Sequence, residues 1–571
     1  MAKVDINIDG INISVEEGTT ILEATKELNI DIPTLCYHPD QKIKGSCRIC
    51  VVDVEDQINL SAACCTPVWS GIKIRTNTKK AREARKLVLD LILADHNQEC
   101  LSCVRNGNCE LQDLCMELNM RDTKIEKINH KLPIDDSNPS IVRDESKCIK
   151  CGRCITACHD VQGVGAIYNV DRGSHMRIST PLGKKLNEIP CVYCGQCINV
   201  CPVGAIYENN DIQKVWDALG DESKHVVVQI APAIRVSLGE EFGEEPGSIV
   251  TGKIVSFFNR IGFDKVFDTN FTADLTIIEE GHEFLHRLNN GGKLPMFTSC
   301  SPGWIRYVEY FYPELLENVS SCKSPQQMFG ALVKSYYAQK NNIDPKDIVV
   351  VSIMPCTAKK AEAVREEMND SGYQDVDIVL TTRELGQMVK ESRIMIKKLP
   401  EEDFDNPLGI STGAAVIFGA TGGVMEAALR TVYEVVTGEE LSNIDFVNLR
   451  GINGCKEATV KVGDLDVNVA VANGLENARK ILDMVKEGKA DYHFIEIMCC
   501  PGGCIGGGGQ PIGTNEVKEK RIKAIYDIDS MSKLRKSHEN PVVKTLYEEF
   551  LKEPLGEKSH KLLHTHYSPK S

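Results

Sequence analysis

From about residue 211 onward the chain alternates short apolar runs with longer segments whose apolar residues recur every three or four positions. The runs VVVQI (226–230), PMFTS (295–299), IVVVSIM (348–354) and FIEIM (494–498) read as strands, and the amphipathic stretches between them as helices. That alternation predicts an α/β architecture. Residues 1–77 differ, showing two strands, a helix over Thr20 to Leu28 and a loop, a small β-grasp-like pattern. A helical stretch follows from Lys79 to Ala94. Residues 141–210 then repeat themselves, with CIKCGRCITAC from Cys148 and CVYCGQCINVCP from Cys191, so internal duplication is expected. At 571 residues the chain is too long for one core, and we expect a multidomain protein.

Composition narrows the picture. Hydrophobic residues at 42% and charged residues at 26% suit a soluble globular protein. No apolar run reaches the length of a membrane span, and the N-terminus MAKVDINIDG lacks a signal-peptide layout, so a cytoplasmic location is expected and a membrane is not. A net charge of -15 excludes nucleic acid as the natural partner. In a reducing compartment 24 cysteines imply metal rather than disulfides. Seventeen of them fall within residues 36–201.

Their spacing carries the chemistry. Cys148, Cys151, Cys154 and Cys158, followed by Cys191, Cys194, Cys197 and Cys201 with Pro202, match C-x2-C-x2-C-x3-C-P, in which the fourth cysteine of each run ligates the other cubane. Cys201 should therefore complete the Cys148 cluster and Cys158 the Cys191 cluster. Cys36, Cys47, Cys50 and Cys64 resemble a plant-type 2Fe-2S loop, with zinc as the rival and Cys65 as a competing ligand beside Cys64. His96, Cys100, Cys103 and Cys109 fit either a cluster with one imidazole ligand or a zinc site, and spacing leaves the two open.

The back half carries FTSCSPGW (297–304), MPCTAKKAE (354–362) and EIMCCPGGCIGGGGQP (496–511), each at the end of an expected strand. Ligands at strand carboxyl ends suggest one shared site. The glycines near Cys504 admit a phosphate-loop reading, but the run lacks the following Lys-Ser/Thr, and backbone lying tight against a bulky cofactor explains them better. His560, His564 and His566 form a loose tail group, expected to be solvated.

These three loops resemble the signatures of FeFe-hydrogenases, and the whole chain resembles the five-cluster clostridial type. The resemblance implies one 2Fe-2S cluster, three 4Fe-4S clusters and an H-cluster, a 4Fe-4S cubane joined to a diiron unit with CO, cyanide and azadithiolate. It favours iron at His96. It implies four domains: 1–77 for the 2Fe-2S cluster, 78–138 for the histidine-ligated 4Fe-4S cluster, 139–210 for two ferredoxin-like clusters and 211–571 for the H-cluster. Cys356, Cys500 and Cys504 would ligate the H-cluster cubane, and Lys359 would hydrogen-bond a cyanide. Pro232, Ala233, Gln326, Met354, Phe418 and Met498 would bind the cofactor as an apolar wall, with Ala233 replacing a serine common among relatives. A proton route would run through Cys300, Glu280, Ser320, Glu283 and Arg287, although a solvated helix face would equally place Glu280 and Glu283 at i and i+3.

One loop departs from the pattern. The second cysteine of the family's TSCCP loop, a cubane ligand, is Ser301 here, and the usual alanine before Cys500 is Cys499. Loop register favours Ser301 at or near the cubane, ahead of Cys499 and Cys300. The resemblance implies reversible H2 formation with electrons from a ferredoxin or flavodoxin-like carrier, dedicated maturation proteins and a monomeric chain. A slow H2 or redox sensor, or a non-catalytic iron-sulfur electron-transfer or cluster-assembly protein, is the alternative.

Overall fold

The structure, a computed structural model, describes residues 2–127, 132–463 and 465–570. It is a mixed α/β multidomain protein. At the front, Lys3–Ile8 and Ile11–Glu16 form an antiparallel hairpin whose turn, Asp9-Gly10, has positive φ at both residues (51° and 91°), as a tight two-residue turn requires. Lys3–Ile8 also pairs in parallel with Lys73–Arg75, and Val51–Val54 and Ser61–Ala62 complete a five-stranded sheet. The helix Ile21–Glu27 begins at Thr20 because Thr20 Oγ1 accepts the Glu23 N–H (3.2 Å) while the Glu23 carboxylate accepts the Thr20 N–H (2.8 Å). Its Ile21, Leu22 and Ala24 bury against Ile6, Ile8, Val52 and Ile74. Lys79–Asp95, capped by Thr78, forms the next helix.

The duplicated segment repeats its backbone as well as its letters. Lys150 and Tyr193 both have φ of 57°, and Gly152 and Gly195 (77° and 69°) open the short helices Arg153–Thr156 and Gln196–Asn199. The back half holds two four-stranded sheets. In one, Lys265–Asp268, His225–Ile230, Ile348–Met354 and Ile378–Thr381 run parallel, in that order. In the other, Met296–Phe297, Phe494–Met498 and Leu465–Asn473 are parallel, and Cys455–Val462 lies antiparallel at the edge. The run expected as a strand over 295–299 pairs only at Met296–Phe297. Thr298 makes one last ladder contact to Ile495 O (3.1 Å), its side chain accepts the Ile497 N–H (3.1 Å), and the chain then leaves the sheet. The helix Thr269–Asn290 crosses the back half with Glu279, Glu280 and Glu283 buried along it. Among the described residues no helix is long and apolar enough to cross a membrane.

Candidate active site and cluster sites

Strands from both back sheets end at one cavity, with about 810 Å3 of empty space counted out through its mouth. Pro232 follows His225–Ile230, Cys300 and Ser301 follow Met296–Phe297, Cys356 follows Ile348–Met354, and Cys499, Cys500 and Cys504 follow Phe494–Met498. All of them line it. Gln326, Met354, Lys359, Phe418 and Met498 complete much of the wall. Ala233 does not. It sits behind Pro232, where its carbonyl oxygen accepts from Ser237 Oγ (2.9 Å) and Gln510 Nε2 (3.4 Å).

The wall suits an iron-sulfur group. Burial pushes the Cys504 thiol up to about 12 and raises Cys356 as well, so these sulfurs stay neutral until a metal displaces their protons. Gln326 Oε1 is buried without a partner among the described residues. The glycine run presses backbone against backbone: a Cβ on Gly507 would strike Pro355 O, and one on Gly508 would strike Cys194 O. Side chains are excluded there so that the loop can close the cavity.

On one side of the cavity a chain of polar groups leads outward. Cys300 is half-buried, with Glu280 as the foremost charge near it. Glu280 is held up to about 8 by burial and then by the neighbouring Glu283, and contacts Ser320. Ser320 Oγ donates to Glu283 Oε2 (3.0 Å), and Arg287 Nη2 donates to Glu283 Oε1 (2.6 Å). Arg287 is half-buried and also donates to the Asn318 and Val319 carbonyls. The solvated-face reading of Glu280 and Glu283 is thereby excluded, since both are under 10% exposed (3% and 9%).

Two further residues were given no role by the sequence, Glu362 at the end of the MPCTAKKAE loop and His564 in the tail. Glu362 gathers Lys359 Nζ (2.8 Å), Ser324 Oγ (2.9 Å) and Gln326 Nε2 (3.0 Å), fixing the lysine at the cavity wall. Its sequence signal is its place at the end of the Cys356 loop, three residues after Lys359. His564, expected to be solvated with His560 and His566, is buried instead. Its ring bonds Ser321 Oγ (2.8 Å) and Glu279 (3.2 Å), and Ser321 Oγ also reaches Glu283 (3.1 Å). His560 and His566 are exposed. The strand-like bridge of His564 to Cys322 explains the difference, because it draws the tail under the long helix.

Ser301 lines the cavity, but its hydroxyl accepts the Cys499 backbone N–H at 3.2 Å. The Cys499 thiol lies within hydrogen-bonding reach of the Cys194 and Cys500 thiols.

The front contains further thiol-lined sites. Cys148, Cys151, Cys154 and Cys201 surround one cavity of about 400 Å3; Cys158, Cys191, Cys194 and Cys197 surround another of about 420 Å3. The crossed arrangement of Cys158 and Cys201 is thus present in the fold. Arg143 lines both cavities and is anchored by Ile178 O (2.7 Å) and Glu145 (2.9 Å), a buried cation between two sites that would bear negative charge. Burial raises the Cys148 thiol to about 11 and Cys151 to about 12. Cys36 is within reach of Cys47 and Cys64, and Cys64 of Cys50, so these four thiols converge. Cys65 is exposed and turns back to Ala62 O (3.6 Å). His96 is kept neutral by burial, and its Nδ1 has no partner among the described residues, as suits a metal ligand. Cys115, unremarked in the motif, is half-buried near Cys109 and Cys100.

Comparison with known proteins agrees with this arrangement. Residues 224–508 match the family described as iron only hydrogenase large subunit, C-terminal domain, and residues 515–570 match iron hydrogenase small subunit. Residues 1–79 match a 2Fe-2S iron-sulfur cluster binding domain. Residues 85–124 match the iron-sulfur binding region of NADH-ubiquinone oxidoreductase-G, and residues 138–207 the ferredoxin-like domain of NADH-quinone oxidoreductase subunit 3. The chain is 49% identical over 580 residues to an NADP-reducing hydrogenase subunit of Solidesulfovibrio fructosivorans, covering 99% of each. It is 41% identical over 570 residues to iron hydrogenase 1 of Clostridium pasteurianum, covering 98% of this chain and 99% of that one. An apo FeFe-hydrogenase structure from Chlamydomonas reinhardtii is similar with a TM-score of 0.58 and 46% identity, covering 63% of this chain and 99% of that one.

Proposed function

This chain belongs to the FeFe-hydrogenase family, of the clostridial type with accessory iron-sulfur regions, and from that premise we propose how its residues divide the work of interconverting protons, electrons and H2. The cavity that joins Cys356, Cys500 and Cys504 to Lys359 and Cys300 carries this reading. Those three cysteines hold the cubane of the H-cluster, which supplies the redox chemistry on hydrogen when bound. Lys359, steadied by Glu362, presents its ammonium to the anionic side of that group. Pro232, Met354, Phe418 and Met498 exclude water. Cys300, Glu280, Ser320, Glu283 and Arg287 move protons between the cavity and the surface, and the raised Glu280 carboxyl supports this role because it exchanges a proton near neutral pH. Ala233, behind the wall, shapes Pro232.

We assign one 2Fe-2S cluster to Cys36, Cys47, Cys50 and Cys64, and one 4Fe-4S cluster to His96, Cys100, Cys103 and Cys109. The two crossed cysteine sets hold two more, for about 20 irons per chain with the H-cluster. Domains 1–77, 78–138, 139–210 and 211–571 carry these groups in turn. Electrons come from a ferredoxin or flavodoxin-like carrier to a cytoplasmic monomer equipped by maturation proteins. An NADP-linked partner subunit is the second reading, favoured by the 49% identical relative named for NADP reduction.

The test is H2-dependent dye reduction by protein made with the maturation machinery, with infrared bands of CO and cyanide recorded in parallel. Activity with those bands is expected. Bands without H2 turnover would leave a sensor, and absence of both would leave an electron-transfer or assembly role. Comparing reduced ferredoxin with NADPH as donor to the purified chain separates the two carrier readings.

A further inference from the structure

Three thiols and one hydroxyl compete for the last corner of the catalytic cubane. A 4Fe-4S cluster has four iron corners, each ordinarily met by a thiolate. Cys356, Cys500 and Cys504 supply three, and Cys194, Cys300, Ser301 and Cys499 also line the cavity. Cys194 is one of the four thiols around the neighbouring accessory cavity and is accounted for there. Cys300 is already used in the proton route, with Glu280 the foremost charge beside it.

That leaves Ser301 and Cys499, which are joined to each other. The Ser301 hydroxyl accepts the Cys499 N–H at 3.2 Å, tying the start of the helix Pro302–Phe311 to the end of the strand Phe494–Met498. To bind iron it would have to lose its own proton, and an alkoxide is a harder and far more basic donor than a thiolate. The Cys499 thiol also gives up a proton but becomes the softer donor that iron-sulfur chemistry uses, and its contact to Gln162 Oε1 is long, at 4.0 Å. It is 4% exposed and sits among the thiols of Cys500 and Cys194, on the side of the cavity nearest the accessory cluster. Adjacent residues of a strand point apart, but the strand ends at Met498. Cys499 and Cys500 begin a turn that continues through Gly502 and Gly503, both with positive φ (83° and 89°), so both thiols face the same cavity. Room for the sulfur is provided by Gly303, where a Cβ would lie only 2.6 Å from Cys499 Sγ.

We propose that Cys499 supplies the fourth protein thiolate of the catalytic cubane and that Ser301 is a strut which positions it. The proposal rests on the hydrogenase reading above. Ligation forms one sulfur–iron bond and releases the thiol proton, with no change in oxidation state. The chain thus keeps a thiol at this corner, supplied from the strand end Phe494–Met498 instead of from the loop after Met296–Phe297.

The test uses the full chain produced anaerobically without maturation proteins, so that only cubanes and the 2Fe-2S cluster assemble. Iron and sulfide are counted, and electron paramagnetic resonance is recorded on oxidised and reduced protein. Cys499→Ala is expected to lose about one to four irons per chain, with a three-iron signal if a single corner opens. Ser301→Ala is expected to keep the wild-type count, and the double variant Ser301→Cys with Cys499→Ala to regain it. A wild-type count in Cys499→Ala, or lost iron in Ser301→Ala, overturns the proposal. So does a double variant that stays depleted, because Cys499 would then be structural. Cys356→Ala is the control for the site itself: if it keeps all wild-type iron, the hydrogenase reading of this cavity fails, independently of Cys499.

Discussion

Cys148, Cys151 and Cys154 lie within a single seven-residue run, whereas Cys356 and Cys500 are separated by 144 positions and brought together only at the ends of two different sheets. In the front, short runs with left-handed residues at fixed offsets wrap each site, and the apolar cluster around them counts Cys109, Cys154, Cys197 and Cys201 among its own buried members. The larger back core, over the four parallel strands, is built almost wholly from aliphatic and aromatic side chains, with Val227, Phe257, Phe267 and Val351 fully buried, while Cys499 and Cys500 join a smaller cluster beside the cavity. A front site therefore depends on its metal for cohesion, while the catalytic cavity is shaped by packing that exists without it. Metal binding to a site that does not otherwise hold together is folding free energy, on the order of 10 kcal/mol for structural zinc.

Removing iron tests this contrast most severely. Chelation under reducing, anaerobic conditions should abolish hydrogen-exchange protection across residues 141–208, while His225–Ile230 and Ile348–Met354 stay protected. Equal loss in both halves would show that the back sheets also lean on the clusters.

The next effect concerns function in the back half alone. Cys300→Ala and Glu283→Gln each remove a proton carrier and no thiolate of the cubane. H2 turnover should fall about 10²- to 10⁴-fold, with iron content and the CO and cyanide bands unchanged. Full activity in Cys300→Ala would move the proton route elsewhere, with the Ser321–His564 branch from Glu283 as the next candidate.

The same contrast explains what could be read from the letters. Cys201 beside the Cys148 set follows from the motif, in which three cysteines wrap one cubane and the fourth reaches across to the other. Strand ends bearing Cys300, Cys356 and Cys500 were legible as apolar runs meeting cysteines. Glu362, His564 and the orientation of Cys499 were not. Each depends on where a distant segment comes to rest: the tail beside Cys322, the Ser324 loop beside Glu362, and the turn after Met498. Ala233 illustrates the reverse case, a position expected at the wall that the turn after Ile230 leaves behind it.

Packing in the back also stores a titration. Asp274, on the same helix as the proton carriers, is raised to about 7 by burial, against which Thr412 Oγ1 (2.6 Å), Thr412 N (3.0 Å) and Asn540 (2.9 Å) donate to it. The folded state thus binds a proton that the unfolded chain releases near 3.8. This group's contribution to stability is fully present below that value and is lost as pH rises through 7. Asp274→Asn should therefore flatten the decline of Tm between pH 5 and 8, and an unchanged slope would mean that the carboxyl is ionised in the folded protein.

The smallest effect compares two identical helix caps placed in the two halves. Thr20 and Thr381 each accept the N–H three residues on and receive the glutamate of a capping box, at Glu23 and Glu384. Losing such a cap costs about 1 kcal/mol. Thr20 caps a seven-residue helix on a sheet whose nearby loop is gathered by the Cys36–Cys64 site, so Thr20→Ala should cost about that amount without its cluster and less with it. Thr381 is fully buried, its partner Glu384 also holds Lys360 (2.9 Å) and the Asp211 N–H (2.9 Å), and its methyl side abuts Gly509 in the cluster loop. Thr381→Ala should therefore cost about 2 kcal/mol, the upper end for a cap, whether or not iron is present. Denaturant unfolding of both variants, with and without iron, checks the pair. Equal costs in all four states would mean that the two halves are held together by the same forces.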